Sequence, residues 1–293
     1  MNNSTKVLNV IASYISLMKL RVVELLLVTT VPALFLASNG FPKLSTTVAT
    51  LIGGTLAAGS ANAFNMVIES ESDKLMARTA SRPIITGKVS KRSALIFAVL
   101  IGVISLAIFL IFTTKLAAAL TLFAIAFYVL GYTLLLKKNT SQNIVWGGIA
   151  GCMPVLIGQA AVSNTLTLTS WLFFLVVFFW TPPHFWALAV KYRDQYQAAD
   201  FPMLPVVAPM SSVVKQMWFH STFMAITAMA VLVSTDLSIW LLIATAALIL
   251  GWKLELTRLS RSNTDLNAGR LFNWSITFLS IYSLLIVFGV LLK

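Results

Sequence analysis

The chain has 293 residues, of which 58% are hydrophobic and 10% charged, with a mean hydropathy of +0.89 and a formal net charge of +12. Soluble domains average roughly 45–50% apolar, and here apolar runs of about 18 residues or more recur from end to end, which excludes an ordinary soluble fold. The single cysteine, Cys152, excludes an internal disulfide and any multi-cysteine metal or iron–sulfur site, and reads as a buried packing residue.

The first twenty residues scatter Asn2, Asn3, Ser4, Lys6, Ser13 and Lys19 and lack the apolar block and cleavage site of a secretory signal. The first span is therefore expected to insert the chain. Nine apolar spans follow, at about 22–38, 46–66, 94–112, 117–136, 144–162, 171–190, 217–234, 239–254 and 274–292. Helix is the conformation expected for each, because an open sheet leaves backbone groups unsatisfied in hydrocarbon and the alternation of a barrel strand is absent. The expected fold is all-α, a polytopic membrane protein of about nine helices around a central cavity opening to the cytoplasmic side.

Charge sets the orientation. With the N-terminus cytoplasmic, 18 of the 21 Lys and Arg residues fall on the cytoplasmic side, leaving Lys43, Lys115 and Lys293 on the other. The basic excess is thus topology, and nucleic acid is not expected as a partner. The two longest cytoplasmic connections follow the second and sixth spans, four helices apart, and each begins with polar residues at a helix end. Within one domain, residues 1–293, this spacing hints at four-helix repeats over about 20–138 and 139–255 plus a ninth helix.

The most charged segment runs from Asn65 to Arg82 and holds three of the nine acids. On a helix, Asn65, Glu69 and Asp73 lie along one slowly turning stripe that continues back through Ala61, Ala57 and Gly53. The small residues describe either a tight helix contact or a cavity wall, and the acids either solvated loop charges or ligands. Hard oxygen ligands in a row suit Mg²⁺, which one or two carboxylates hold together with a substrate phosphate. Arg78, Arg82 and Lys88 downstream are placed to grip that phosphate.

Asn65-x₃-Glu69-x₃-Asp73, followed by Met76-Ala77-Arg78-Thr79-Ala80-Ser81-Arg82-Pro83, resembles the first signature of the membrane-embedded aromatic prenyltransferases. The likeness is to the protohaem IX farnesyltransferase branch. It is shared by Lys19-Leu20-Arg21 with Glu24, Thr29 and Thr30, by Trp180-Thr181-Pro182-Pro183-His184, and by Asp194-Gln195-Tyr196-x₃-Asp200-Phe201-Pro202-Met203-Leu204-Pro205. The family usually has Asp at Glu69 and Pro at Leu20, often Asp at Gln195, and commonly Gly at Asp200.

The resemblance implies transfer of a farnesyl group from farnesyl diphosphate to haem B, giving haem O, in the cell's inner membrane. It further implies Mg²⁺ held by Asn65, Glu69, Asp73 and a second-loop acid, Asp194 or Asp200. Arg193 and Tyr196 would join Arg78, Arg82 and Lys88 at the diphosphate, and the product would pass to haem A synthase or terminal oxidase assembly. Prenylation of a quinone precursor such as 4-hydroxybenzoate uses the same machinery, and a multi-helix transporter would also have many spans.

By their own chemistry, Lys191 to Tyr196 make either an interfacial anchor or a second diphosphate-facing cluster. Phe201 to Pro205, with two prolines, is expected to stay non-helical as an apolar flap. His184 follows two prolines that favour a kink. It is a candidate haem ligand, or a partner for a neighbouring helix; His220 is a weaker candidate. Lys137 and Lys138 read as topology.

Overall fold

The computed structural model describes residues 3–75 and 79–293. Among them there are thirteen α-helices and no strand: α1 (Asn3–Leu17), α2 (Leu20–Ser38), α3 (Leu44–Ile68), α4 (Ser70–Asp73), α5 (Lys91–Phe112), α6 (Lys115–Ala126), α7 (Asn143–Ser163), α8 (Leu168–Lys191), α9 (Arg193–Ala198), α10 (Leu204–Val207), α11 (Met210–Ser234), α12 (Ile239–Arg261) and α13 (Asp265–Leu291). A π-helix, Phe127–Leu136, continues α6. Among the described residues nine helices are long and apolar enough to cross a membrane: α2, α3, α5, α6 with its π-helical end, α7, α8, α11, α12 and α13. The all-α, nine-span expectation holds.

Side chains that satisfy backbone donors start several spans. Ser90, Thr114 and Thr264 cap α5, α6 and α13, and Thr167 forms a capping box with Ser170 at α8. The helices α11 and α13 begin at Met210 and Asp265, earlier than their apolar runs, because a helix continues past the hydrocarbon wherever its polar first turn is solvated. Pro182 and Pro183 lie within an unbroken α8, and Pro32 and Pro154 within α2 and α7.

The spans pack in sequence, and α13 closes the ring by returning to α2 and α8. The most extensive contacts are α3 with α5 and α8 with α11, the second and third spans and the sixth and seventh. Small residues set the first contact. A Cβ on Gly53 would lie 2.8 Å from the Phe109 ring, while Ser105 Oγ donates to Gly53 O at 2.6 Å and Ser60 Oγ to Ala98 O at 2.8 Å. Outward, Val99, Val103, Leu110 and Ile111 are all exposed, a surface suited to lipid. Two-thirds of the spanning windows of α7 and α8 are buried (67%) against 11% for α6 and its extension, so α7 and α8 form the inner wall. The short helices α4, α9 and α10 gather at one end of the bundle, beside the start of α2 and the end of the π-helix, and this end bears the site.

Candidate active site

A cavity of about 380 Å³ opens among α2, α3, α6 with its π-helical end, α7 and α8. Its mouth is ionic. Lys19, Arg82 and Lys137 face Glu69 and Asp73 there, three cations against two carboxylates, with Asn62 and Asn65 beside them. Such a mouth favours an anionic guest.

Each charged group has a local cause for its position. The helix breaks at Glu69, yet Glu69 N donates to Asn65 O (2.9 Å) and Asp73 N to Glu69 O (2.8 Å), so the four-residue spacing survives the break. Asn65, Glu69 and Asp73 are all buried. Arg82 pairs with one oxygen of Asp73, whose other oxygen, Oδ1, is buried with no hydrogen-bond partner among the described residues. The Asp73 carbonyl accepts from Thr79 Oγ1 at 2.6 Å, which ties the loop to α4.

Lys137 reaches Glu69 at 2.5 Å. The π-helix delivers it: Lys137 N donates to Tyr132 O five residues back, a wider turn that advances the following side chain around the axis. Lys19 sits in the left-handed region (φ 53°) between α1 and α2, a conformation uncommon for a residue other than glycine. This corner aims Lys19 Nζ at Asn65 Oδ1, 2.9 Å away, and Asn65 Nδ2 donates to Thr133 Oγ1 at 3.3 Å. Part of the Lys19 side chain faces the cavity space and protein surrounds the rest. Burial, helped by Arg82 and then Lys137, lowers its pKa to about 7. Burial likewise lowers that of Lys137, opposed by Glu69.

Below the mouth the walls become apolar even where residue types are polar. Thr29 and Thr30 both donate to Leu26 O (2.9 Å), Thr50 to Thr46 O (2.7 Å), Thr121 to Ala117 O (2.8 Å) and Thr181 to Val177 O (2.8 Å). Every one of these hydroxyls is spent on its own helix. With Ala57, Ala58, Ala61, Ile125, Pro154 and Ile157 they form a hydrocarbon-like shaft. Tyr128, Tyr132, Tyr196 and Phe201 ring the junction between mouth and shaft.

The sequence pattern of the UbiA prenyltransferase family matches residues 26–277. The chain belongs to that family. A Protoheme IX farnesyltransferase from Frankia alni is 46% identical over 275 residues, covering 92% of this chain and 95% of that one. Protoheme IX farnesyltransferase 1 from Saccharopolyspora erythraea is 56% identical over 199 residues, 68% of this chain and 64% of its own length. The structure of a UbiA homolog from Archaeoglobus fulgidus bound to GPP and Mg2+ superposes with a TM-score of 0.68 at 17% identity, over 94% of this chain and 99% of that one, a likeness of fold.

In this UbiA prenyltransferase the expected residues separate. The structure brings Asn65, Glu69, Asp73, Arg82 and Tyr196 to the cavity. Arg78 lies outside the described residues, and Lys88 is exposed away from the lining. The second loop brings neither of the acids expected there to the cavity. Asp194, in the first turn of α9, and Asp200, in a left-handed turn (φ 52°), are both exposed and absent from the lining. Arg193 is also exposed, 3.4 Å from Val206 O. This loop instead gives the cavity Tyr196, Phe201 and Met203. Its flap is non-helical only through Met203, since Pro205 in the first turn of α10 costs no helical hydrogen bond. Among the described residues no three His, Cys, Asp or Glu side chains converge, so the oxygen donors at the mouth are Asn65, Glu69 and Asp73.

His184 lies off the cavity lining, with a neighbouring helix as its partner, the other of its two expected roles. Its Nδ1 lies 2.5 Å from Ser275 Oγ, and its ring stacks between Trp180 (4.2 Å) and Phe272 (4.6 Å), joining α8 to α13. Thr181, Phe185 and Leu188 of the same helix line the cavity instead. His220 is buried beside Trp186 and Phe179, also off the lining. Sequence reasoning missed Lys19 as a site residue and read Lys137 as topology. The available signal was the position of each, at the loop-side end of a span that faces Asn65. Leu20 stands at the first position of α2, where the family's Pro is tolerated and Leu is equally at ease.

Proposed function

We propose that the protein transfers the farnesyl group of farnesyl diphosphate to a vinyl group of haem B, giving haem O and diphosphate, at the mouth of this cavity. The observation that carries the reading is the junction of an ionic mouth with a shaft whose threonines are all turned inward on their own helices. That is the shape of an amphiphile with a charged head and an isoprenoid tail. The names of the relatives supply the acceptor. On this reading the product passes to haem A synthase or terminal oxidase assembly.

Arg82, Lys137 and Lys19 hold the diphosphate oxygens and stabilise the charge that gathers there as the carbon–oxygen bond breaks and its electron pair leaves with the diphosphate. The allylic cation left behind faces the rings of Tyr128, Tyr132, Tyr196 and Phe201, whose π-faces attract it. The porphyrin vinyl group adds its π-electrons to the allylic carbon, forming the new carbon–carbon bond. Water then adds to the resulting porphyrin-side cation and releases a proton, leaving the hydroxyethylfarnesyl chain. The tail stays in the shaft, which keeps water from the allylic carbon until the vinyl group has reacted.

The donor chemistry fits Mg²⁺: Asn65, Glu69 and Asp73 offer hard oxygens, and the buried Oδ1 of Asp73 has no hydrogen-bond partner among the described residues. Bound there, the ion would supply further charge stabilisation to the departing diphosphate. The excess of Lys and Arg on the site-bearing side supports a mouth facing the cytoplasm, with the N-terminus on the same side. The test offers purified protein labelled farnesyl diphosphate, Mg²⁺ and an equimolar mixture of haem B and 4-hydroxybenzoate. Label entering the porphyrin is the expected result, and label entering only the benzoate overturns the choice of acceptor.

A further inference from the structure

Two glycines on the shaft wall have no packing reason to be glycine. Gly54 of α3 and Gly151 of α7 both line the cavity, and a Cβ built on either meets no atom within 4 Å. Both sit inside helices at ordinary backbone angles, where glycine is the poorer helix former than alanine. Their neighbours behave differently. Gly53 packs against Phe109, Gly147 against Tyr132 and Gly148 against Thr181, so those three are required by contact. At Gly54 and Gly151 the missing side chain leaves only cavity space.

Position along the helices fixes what that space serves. Residues of α3 that line the cavity recur at the helical period from Asn65 through Ala61 and Ala58 to Gly54 and Thr50. At 1.5 Å per residue, Gly54 lies about 22 Å from Glu69 along the axis. Thr121, in α6, is at a comparable depth below Lys137, beyond the π-helical stretch. Gly151 is about half as deep, some 12 Å from the start of α7. Thr50 and Thr121 are the cavity-lining residues of α3 and α6 farthest from the mouth, both buried, with their hydroxyls bonded to Thr46 O and Ala117 O.

We propose that Gly54, with Thr50 and Thr121 beneath it, sets the length of isoprenoid the protein accepts, and that Gly151 keeps the passage to that depth open. Gly54 is a specificity residue: it touches the distal isoprene unit and leaves the reacting end alone. The inference rests on the prenyl-transfer reading of the cavity and adds to it which residues measure the chain.

The test compares geranyl, farnesyl and geranylgeranyl diphosphates, each with Mg²⁺ and haem B, in wild type, Gly54→Leu, Gly54→Ala and Thr50→Ala. In Gly54→Leu, kcat/KM for the farnesyl donor should fall at least about 100-fold, the loss expected when an isoprene unit of five carbons is turned out of an apolar site. The geranyl donor should keep its rate within about threefold. Thr50→Ala should raise the geranylgeranyl-to-farnesyl ratio. Gly54→Ala should melt at the wild-type temperature or above it, since nothing touches the added methyl, whereas Gly53→Ala should melt lower with donor preference unchanged.

Binding of the same donors without haem, followed by thermal shift, gives the preference independently of turnover and serves for any variant that turns over too slowly to rank. A Gly54→Leu protein that loses geranyl and farnesyl donors equally, or keeps farnesyl preference, overturns the inference while leaving prenyl transfer intact. Wild type that binds no prenyl diphosphate overturns the underlying reading instead.

Discussion

Asp73 concentrates the chemistry of the mouth in one residue: one side-chain oxygen pairs with Arg82, the other is buried without a partner among the described residues, and the backbone carbonyl holds Thr79. Asp73→Asn keeps the size and removes the charge. It should lower kcat/KM for farnesyl transfer by about 10²–10³-fold, the range for losing a group that acts on developing charge. Steady-state assay across donor concentrations checks this. Lys19 makes a prediction in pH. Its pKa lies at about 7 because burial disfavours the ammonium form, and a bound diphosphate favours that form. Binding therefore takes up a proton wherever free Lys19 is neutral, so donor affinity is full below about pH 7 and falls as pH rises above it, by up to tenfold per unit. Calorimetry between pH 6 and 9 should show that slope, and Lys19→Met should flatten it.

At the scale of elements, the join between the π-helix and α7 positions Lys137 and the tyrosines. A Cβ on Gly147 would come within 2.2 Å of the Tyr132 ring, so Gly147→Ala must displace Tyr132 or push α7 outward. Overpacking of this kind costs about 1–3 kcal/mol. Thermal unfolding in detergent should show the loss, together with a weaker farnesyl donor affinity. Helix existence was legible in the sequence because hydropathy alone dictates it in a bilayer, and the matching contacts of α3 with α5 and α8 with α11 lead us to propose the units 20–138 and 139–255 as structural repeats. Helix rotation was not legible. Spans as apolar as α7 and α8 carry little periodic polarity to say which face looks inward, so His184 could be read as a cavity residue when α13 had taken it. The α3 stripe shows the same limit at finer grain. Steps of four from Asn65 lead to Gly53, which packs on α5, whereas the true period of 3.6 leads to Gly54 in the shaft.

For the whole molecule, charge and hydropathy together pointed to the end of the bundle at which the cavity opens, and the first acidic cluster gave half the mouth. The other half, Lys19 and Lys137, comes from segments 46 and 68 residues away from their partners Asn65 and Glu69, a pairing that only the packing of α3 against α2 and the π-helix creates. The proposed orientation is open to test through cysteine labelling, since native Cys152 is buried. A membrane-impermeant thiol reagent on intact cells should label Lys43→Cys and spare Lys88→Cys, and the reverse pattern would invert the topology. The central claim is that this cavity cleaves a prenyl diphosphate in step with alkylation of haem. The most direct measurement follows diphosphate release and haem mass in one reaction of purified protein, farnesyl diphosphate, Mg²⁺ and haem B. One diphosphate released per haem converted, with little release when haem is left out, is the predicted result. Haem conversion without matching diphosphate, or diphosphate release with the haem unchanged, would contradict it.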